Sequence, residues 1–406
     1  MDSGAIAWVL ASSALVLFMT PGLALFYGGM TRSKNVLNML NMNLYCMAVI
    51  PVLWVIVGYT LAFGGSGDAG WLGNLDFVGL KDIFPDPSGE TIVFLVFQLT
   101  FAVITPALIS GAVADRLKFS AWAVFVPVWA LLVYSPIAHW VFAGGWLADL
   151  GALDFAGGAV VHMNAGAAAL AVILLLGTRH GWPSTPMPPH NLTMTMLGTG
   201  ILFFGWFGFN AGSALSADGI AAVAFLNTFV AAAAGGLVWT FVEWLKDGHP
   251  TTLGVCSGIV AGLVAITPCA GFVGGLSPLA IGAGAGLICY FAISLKYRFG
   301  YDDSLDVVGV HLVGGLFGSL AVGLFADSAV NPLVVDEGLF LGGGLTLFVD
   351  QAIAAAATLG FAFVVTMIIA KAIDLTIGLR VSEGDELQGL DLSQHAEAGY
   401  NLADHS

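Results

Sequence analysis

Charge is what this chain has least of. Only 9% of its 406 residues are charged, and just 11 are Lys or Arg. Soluble globular chains run near 25% charged, so a soluble enzyme is excluded. The bases are also too few for the polybasic footprint of a nucleic-acid binder. Cysteine is scarce: Cys46, Cys256, Cys269 and Cys289 all sit in apolar stretches and offer no disulfide framework. What fills the chain instead is 58% hydrophobic residues and 54 glycines, small residues that suit close helix packing in lipid. The net charge of −15 reflects missing bases rather than an excess of the 26 acids. These features describe a polytopic membrane protein.

A membrane helix needs about 20 mostly apolar residues. Runs that meet or approach this are 5–30, 36–63, 91–113, 120–141, 157–177 and 192–209. Five more follow at 219–242, 251–269, 276–295, 307–325 and 341–370. The first ten contain no Asp, Glu, Lys or Arg, and the last carries only Asp350. Strands of a membrane barrel would alternate over about ten residues, which is not the pattern here. No basic segment or cleavage pattern precedes Ala5, so the first span is expected to be retained.

Bases accumulate on the cytoplasmic side. Arg32, Lys34, Arg116, Lys118, Arg179, Lys246, Lys296, Arg298, Lys371 and Arg380 all follow odd-numbered spans, and only Lys81 falls in an even-span loop. The expected orientation is N-terminus outside and acidic C-terminal tail inside. Membrane spans in odd-numbered groups invert on repetition. Span five has His162 with Gly166 four residues on, and span ten has His311 with Gly315 four residues on. Span three contains Thr105-Pro106 and span eight Thr267-Pro268. The expectation is an all-α protein of eleven transmembrane helices, a 5+5 inverted repeat plus one extra helix. The membrane domain is taken as 1–380 and the cytoplasmic tail as 381–406.

Ionisable residues deep in a membrane are costly and mark pathways. The other histidines lie near span ends or in loops: His139, His180, His190, His249, His395 and His405. His162 and His311 are different, each four or five residues into its span, counted from opposite faces. Three readings stay open for the pair. They are buried rings bonded to carbonyls, neutral rings lining a path for a small polar molecule, or ligands of a haem or metal. No mid-span carboxylate is present in the first ten helices to drive proton coupling. Aromatics form a second group, with Phe97 and Phe101 in span three and the run Trp206-Phe207-Gly208-Phe209-Asn210-Ala211-Gly212-Ser213 in span six. Rings beside a hydroxyl can trap a cation, at about 0.5–2 kcal/mol per good contact.

The stretch from Asp154 to His162 and the run Trp206–Ser213 resemble the Amt/Mep/Rh ammonium transporters, on the Amt side. So do Pro21-Gly22 with Phe26-Tyr27-Gly28-Gly29-Met30, Ser257-Gly258 through Thr267-Pro268, and Val310-His311. In the tail, Gly378-Leu379-Arg380-Val381 and Gly389–His395 are similar as well. The resemblance runs from the first span to Tyr400.

It implies an eleven-helix protomer in a homotrimer, each protomer with its own hydrophobic pore for ammonium or ammonia and no cofactor or metal. His162 and His311 correspond to the twin pore histidines, and Phe101 and Phe209 to a stacked phenyl gate. Ser213, Phe142 and Phe97 correspond to the outer recruitment site, with Asp154 and Trp206 supporting. Phe142 is a departure, since Amt proteins usually have Trp there, the better cation–π partner. Weaker recruitment and relaxed selectivity against methylammonium follow as expectations. The tail is expected to lie across the cytoplasmic face and dock a PII-type signal protein, and the turn Asp302–Asp306 to cap span ten and meet the tail. A prokaryotic inner membrane is the implied location. Two rivals remain: a haem protein, which would absorb visible light, and an ammonium sensor that binds but conducts little and signals through a PII-type partner. No output domain follows the tail before Ser406, which weighs against a fused receptor.

Overall fold

The computed structural model describes residues 1–65 and 70–400; the end of the 381–406 tail, with His405, lies outside the described residues. Seven helices long and apolar enough to cross a membrane come first: α1 Ser3–Met30, α2 Ser33–Phe63, α3 Glu90–Ile109, α4 Phe119–Leu150, α5 Gly158–Leu176, α6 Leu192–Gly212 and α7 Gly219–Asp247. A shorter apolar helix, α8 Thr252–Ile266, precedes three more long ones: α9 Ser277–Phe299, α10 Val308–Phe325 and α11 Thr346–Thr376. Among the described residues there is no strand, only an isolated bridge between Leu117 and Arg380. The chain is an all-helical, multi-pass membrane protein. In hydrocarbon each backbone N–H and C=O must be satisfied internally, which helices achieve. Their starts are capped locally: Asp2 accepts from the Ala5 amide, Asp218 from Ile220 and Ala221, and Thr251 from Gly254.

Helix ends depart from the expected runs at several places, among them Ile109, Asp247 and Thr376, and two of the departures have a plain local cause. The eighth run was expected over 251–269, but the helix stops at Ile266. Pro268 has no N–H to continue the ladder, so the chain tightens into i→i+3 turns, with Cys269 N donating to Ile266 O at 2.9 Å. The fourth run was expected over 120–141; after Phe142 the chain breaks near Gly145 and adds a further turn, Trp146–Leu150.

The bases that follow odd-numbered spans gather at one end. Arg116 is fully buried and donates to Gly177 O (2.8 Å), Ser304 Oγ (2.6 Å) and Asp302 O (2.5 Å). Arg179 pairs with Asp302 at 2.8 Å, and Arg32 with Asp115 at 2.8 Å. Burial raises the Asp302 carboxyl, but the Arg179 hydrogen bond and the Arg116 and Arg179 charges outweigh it and hold it below the usual range. The loops after α1, α3, α5 and α9 are thereby tied together.

The tail folds back onto the helical domain over the described residues up to Tyr400. Two short helices, α12 Glu383–Gln388 and α13 Leu390–His395, lie against the start of α2. Asp391 accepts from the backbone amides of Leu37 (3.0 Å) and Asn38 (2.8 Å), acting as a cap supplied from the other end of the chain. Arg380 pairs with Glu386 at 2.7 Å, and Tyr400 meets the His190 ring at 2.9 Å. Arg116 stands between tail and turn, its carbonyl accepting from Val381 and its guanidinium donating to Asp302.

Candidate functional site

His162 and His311 come from α5 and α10, the two helices the repeat predicts should correspond. Each sits in a widened turn: the His162 amide reaches back five residues to Gly157 O at 3.1 Å, and α10 opens with a π turn over Val308–Leu312. Such turns re-aim side chains and concentrate at functional sites. Gly157 adopts φ +113°, a left-handed conformation that other residues resist. The helices can meet because Gly166 faces Leu312; a Cβ there would lie 2.5 Å from the Leu312 backbone nitrogen.

The result is a ring stack. The imidazoles of His162 and His311 lie 5.3 Å apart at 18°, with their Nδ1 atoms 3.2 Å apart. One ring must donate from Nδ1 and the other accept, so the pair holds a defined tautomer arrangement. The Trp206 indole stacks on His162 at 5.4 Å and 19°. Both imidazoles border a narrow apolar cavity, about 10 Å³ of room for the centre of a water-sized molecule, lined with Trp206 and Phe209 by Leu23, Ile104, Leu202 and Val260. Space of that order admits one small molecule at a time. A second small cavity continues from His311 past Phe26, Tyr27 and Ser257 toward Asp306. The haem reading fails on this geometry. Two axial nitrogens on opposite faces of one haem iron at about 2 Å each would stand about 4 Å apart, beyond the 3.2 Å here, and parallel rings at 5.3 Å leave no place for a porphyrin between them.

On the Phe209 side of the cavity, Phe101 and Phe209 stack at 4.2 Å and 22°, both rings buried. Phe97 packs on Phe101 at 5.0 Å, and Phe142 meets the same ring edge-on at 6.5 Å. Ser213 donates its hydroxyl to Phe209 O at 2.8 Å, one turn further along α6. Asp154 lies at the start of α5, its two oxygens accepting from the amides of Gly157, Gly158, Ala159 and Val160. Burial pushes its carboxyl up while those four amides pull it down. Its place is a helix cap, as its position before span five suggests.

The structure thus brings His162, His311, Trp206, Phe209, Phe101, Phe97 and Phe142 into one continuous set of contacts. Sequence reasoning missed the aliphatic lining, Leu23, Ile104, Leu202 and Val260, because one apolar residue in a membrane span looks like another. It also missed Thr267, which receives the Trp206 indole N–H at 2.9 Å. The repeated Thr-Pro pair was the available signal. Trp140 and Trp146, near Phe142 in sequence, pack with Trp71 and Phe361 instead.

Comparison with known proteins agrees with this geometry. A profile of the Ammonium Transporter Family matches residues 7–400. An ammonium transporter of Mycobacterium tuberculosis is 51% identical, covering 99% of this chain and 91% of its own length. Ammonium transporter Amt1 of Archaeoglobus fulgidus is 45% identical over 98% of this chain and all of its own. The crystal structure of Candida albicans Mep2 superposes with a TM-score of 0.88 at 37% identity, covering 95% of this chain and 88% of that one. A structure titled Sensor Amt Protein superposes at 0.90 with 28% identity, covering 96% and 98%.

Proposed function

Because the chain belongs to the ammonium transporter family, we propose that it moves ammonium nitrogen across the membrane through the His162–His311 cavity. The observation that carries this is the continuous sequence of stacked Phe gate, twin imidazoles and single-file apolar cavity. A bare ammonium ion in such a cavity carries a Born cost of up to tens of kcal/mol. Removing its proton at pH 7 costs about 3 kcal/mol for a pKa roughly two units higher. Deprotonation at the Phe101–Phe209 gate is therefore the lower route, with ammonia then hydrogen-bonding along the two rings. Potassium and sodium have no proton to lose and are refused without a size filter. Ser213, Phe142 and Phe97 recruit the cation above the gate, Asp154 holds the start of α5, and Trp206 backs His162.

The protomer works in a homotrimer in the plasma membrane, N-terminus outside. The clustering of Arg32, Arg116, Arg179 and Arg380 at the tail end supports that orientation. The docked tail offers a cytoplasmic surface for a PII-type signal protein. A second reading, a sensor that binds ammonium and conducts little, draws on Phe142 and on the likeness to the structure titled Sensor Amt Protein.

The test is a concentration jump across a supported membrane carrying purified protein, paired with uptake into proteoliposomes. Ammonium uptake without sodium or potassium uptake is expected, and the current reports whether charge crosses with it. A brief binding transient without uptake would replace the transport reading with the sensor.

A further inference from the structure

The Thr-Pro pair recurs in α3 and just past the end of α8, yet of its two threonines Thr267 is the one whose hydroxyl meets a ring bordering the cavity. In both helices the hydroxyl donates back to the carbonyl four residues earlier: Thr105 to Phe101 O and Thr267 to Leu263 O, each at 2.7 Å. That bond spends the only hydroxyl proton and leaves the oxygen lone pairs as acceptors. In α8, where the helix has just ended ahead of Pro268, the exposed lone pair faces α6 and takes the Trp206 Nε1 proton at 2.9 Å. Thr267 is fully buried and Trp206 nearly so, which keeps this bond away from bulk solvent.

The consequence runs along the stack. The indole is pinned at its nitrogen by Thr267, its face lies on His162 at 19°, and His162 lies on His311 at 18°. His162 Nε2 has no hydrogen-bond partner among the described residues and Nδ1 meets only the other imidazole, so beyond that one bond the ring is oriented by the faces packed on it, the Trp206 indole at 5.4 Å and 19° and the Phe209 ring at 6.1 Å and 36°. The indole, nearer and more nearly parallel, is the wall that sets its plane. We propose that Thr267 is a positioning residue of the pore: through Trp206 its hydroxyl sets the plane of His162 and so the width of the cavity that both histidines border.

Thr267→Val keeps the branched shape but removes the acceptor, stranding the Trp206 N–H in a buried place. A stranded donor is more costly than a pair removed together. The indole then turns toward another acceptor, and the His162 ring loses its wall. Thr267→Ser keeps the oxygen. Replacing Trp206 by Phe in the Val background removes the stranded donor and keeps an aromatic face.

The inference rests on the transport reading for its flux measurement but not for its structural one. The experiment is the structure of the full-length Thr267→Val and Thr267→Ser proteins together with ammonium uptake by each. Expected in the Val protein are a Trp206–His162 pair no longer near-parallel and uptake reduced about tenfold, the equivalent of about 1.4 kcal/mol. The Ser protein keeps the stack and stays within about twofold of the parent, and the Thr267→Val, Trp206→Phe protein recovers part of the loss. A Val protein that keeps the parallel stack, or one with unchanged uptake, overturns the proposal. If the Val protein does not fold, failure of the double variant to recover folding overturns it equally. Absence of uptake in the parent protein would overturn the transport reading alone, and the ring geometry would still decide the role of Thr267.

Discussion

Asp154 and Asp303 do the same work at the starts of the two histidine-bearing helices. Asp154 stands eight residues before His162 and Asp303 eight before His311. Asp154 accepts from four amides at the start of α5, and Asp303 from the amides of Val307 (3.1 Å) and Val308 (2.7 Å) at the start of α10. The α5 start lies beside the end of α8, through Phe155 N to Pro268 O, whereas the α10 start lies beside the end of α9, through Lys296 to Asp303 O. Consecutive helix ends lie on opposite faces, so the two caps face opposite sides. Each carboxylate holds a helix start whose widened turn aims one histidine inward.

The Asp303 cap makes stability depend on pH. Burial and the negative charge of Asp306 push the Asp303 carboxyl up to about 6, against the pull of Lys296. A carboxyl raised in the folded state binds its proton more tightly there than in the unfolded chain. Stability therefore falls as pH rises from the ordinary carboxylate range through about 6, and the penalty is complete above that. Asp303→Asn removes the titration and keeps one amide acceptor. Melting of the two proteins between pH 5 and 8 should show their difference changing near pH 6; parallel curves would refute this.

Recruitment should respond to the Phe142 ring. Phe142→Trp restores the stronger cation–π partner beside Phe101. Phe already supplies part of the about 0.5–2 kcal/mol of a good contact, so the half-saturating ammonium concentration should fall by about two- to fivefold. Uptake measured over a range of concentrations checks this, and an unchanged half-saturation would remove Phe142 from the recruitment site.

Much of this arrangement is legible in the sequence. The apolar runs, the bases after odd spans and the matched His and Thr-Pro positions specify the helices and point to the pore pair, because hydrocarbon tolerates few polar residues. What the sequence hides is whatever depends on where a helix stops. The end of α8 at Ile266 depends on the turn around Pro268, and that turn is what turns Thr267 toward Trp206. The cap on α2 is hidden in the same way, since nothing in an acidic, glycine-containing segment singles out Asp391 as the acceptor for the Leu37 and Asn38 amides.

That cap should be measurable. Asp391→Ala removes two hydrogen bonds to the Leu37 and Asn38 amides, a cap worth about 1 kcal/mol. Limited proteolysis should then cut within 382–400 faster than in the parent, with helices α1 to α11 intact. Equal cutting rates would mean that Lys34, Arg380 and Tyr400 hold the tail without it.

Close packing of the two histidine helices depends on Gly166. An added methyl would meet the Leu312 backbone at 2.5 Å. Gly166→Ala should lower stability by about 1–3 kcal/mol, read as a lower melting temperature in detergent. A melting temperature at or above the parent's would show that α5 and α10 can separate freely.

The most direct test of the pore is to replace both imidazoles, His162→Leu with His311→Leu, and follow labelled ammonium into proteoliposomes beside the parent protein. Without the hydrogen-bonding rings the cavity is wholly apolar, and uptake should fall to the level of protein-free vesicles. Undiminished ammonium uptake in the double variant would contradict conduction along these two histidines.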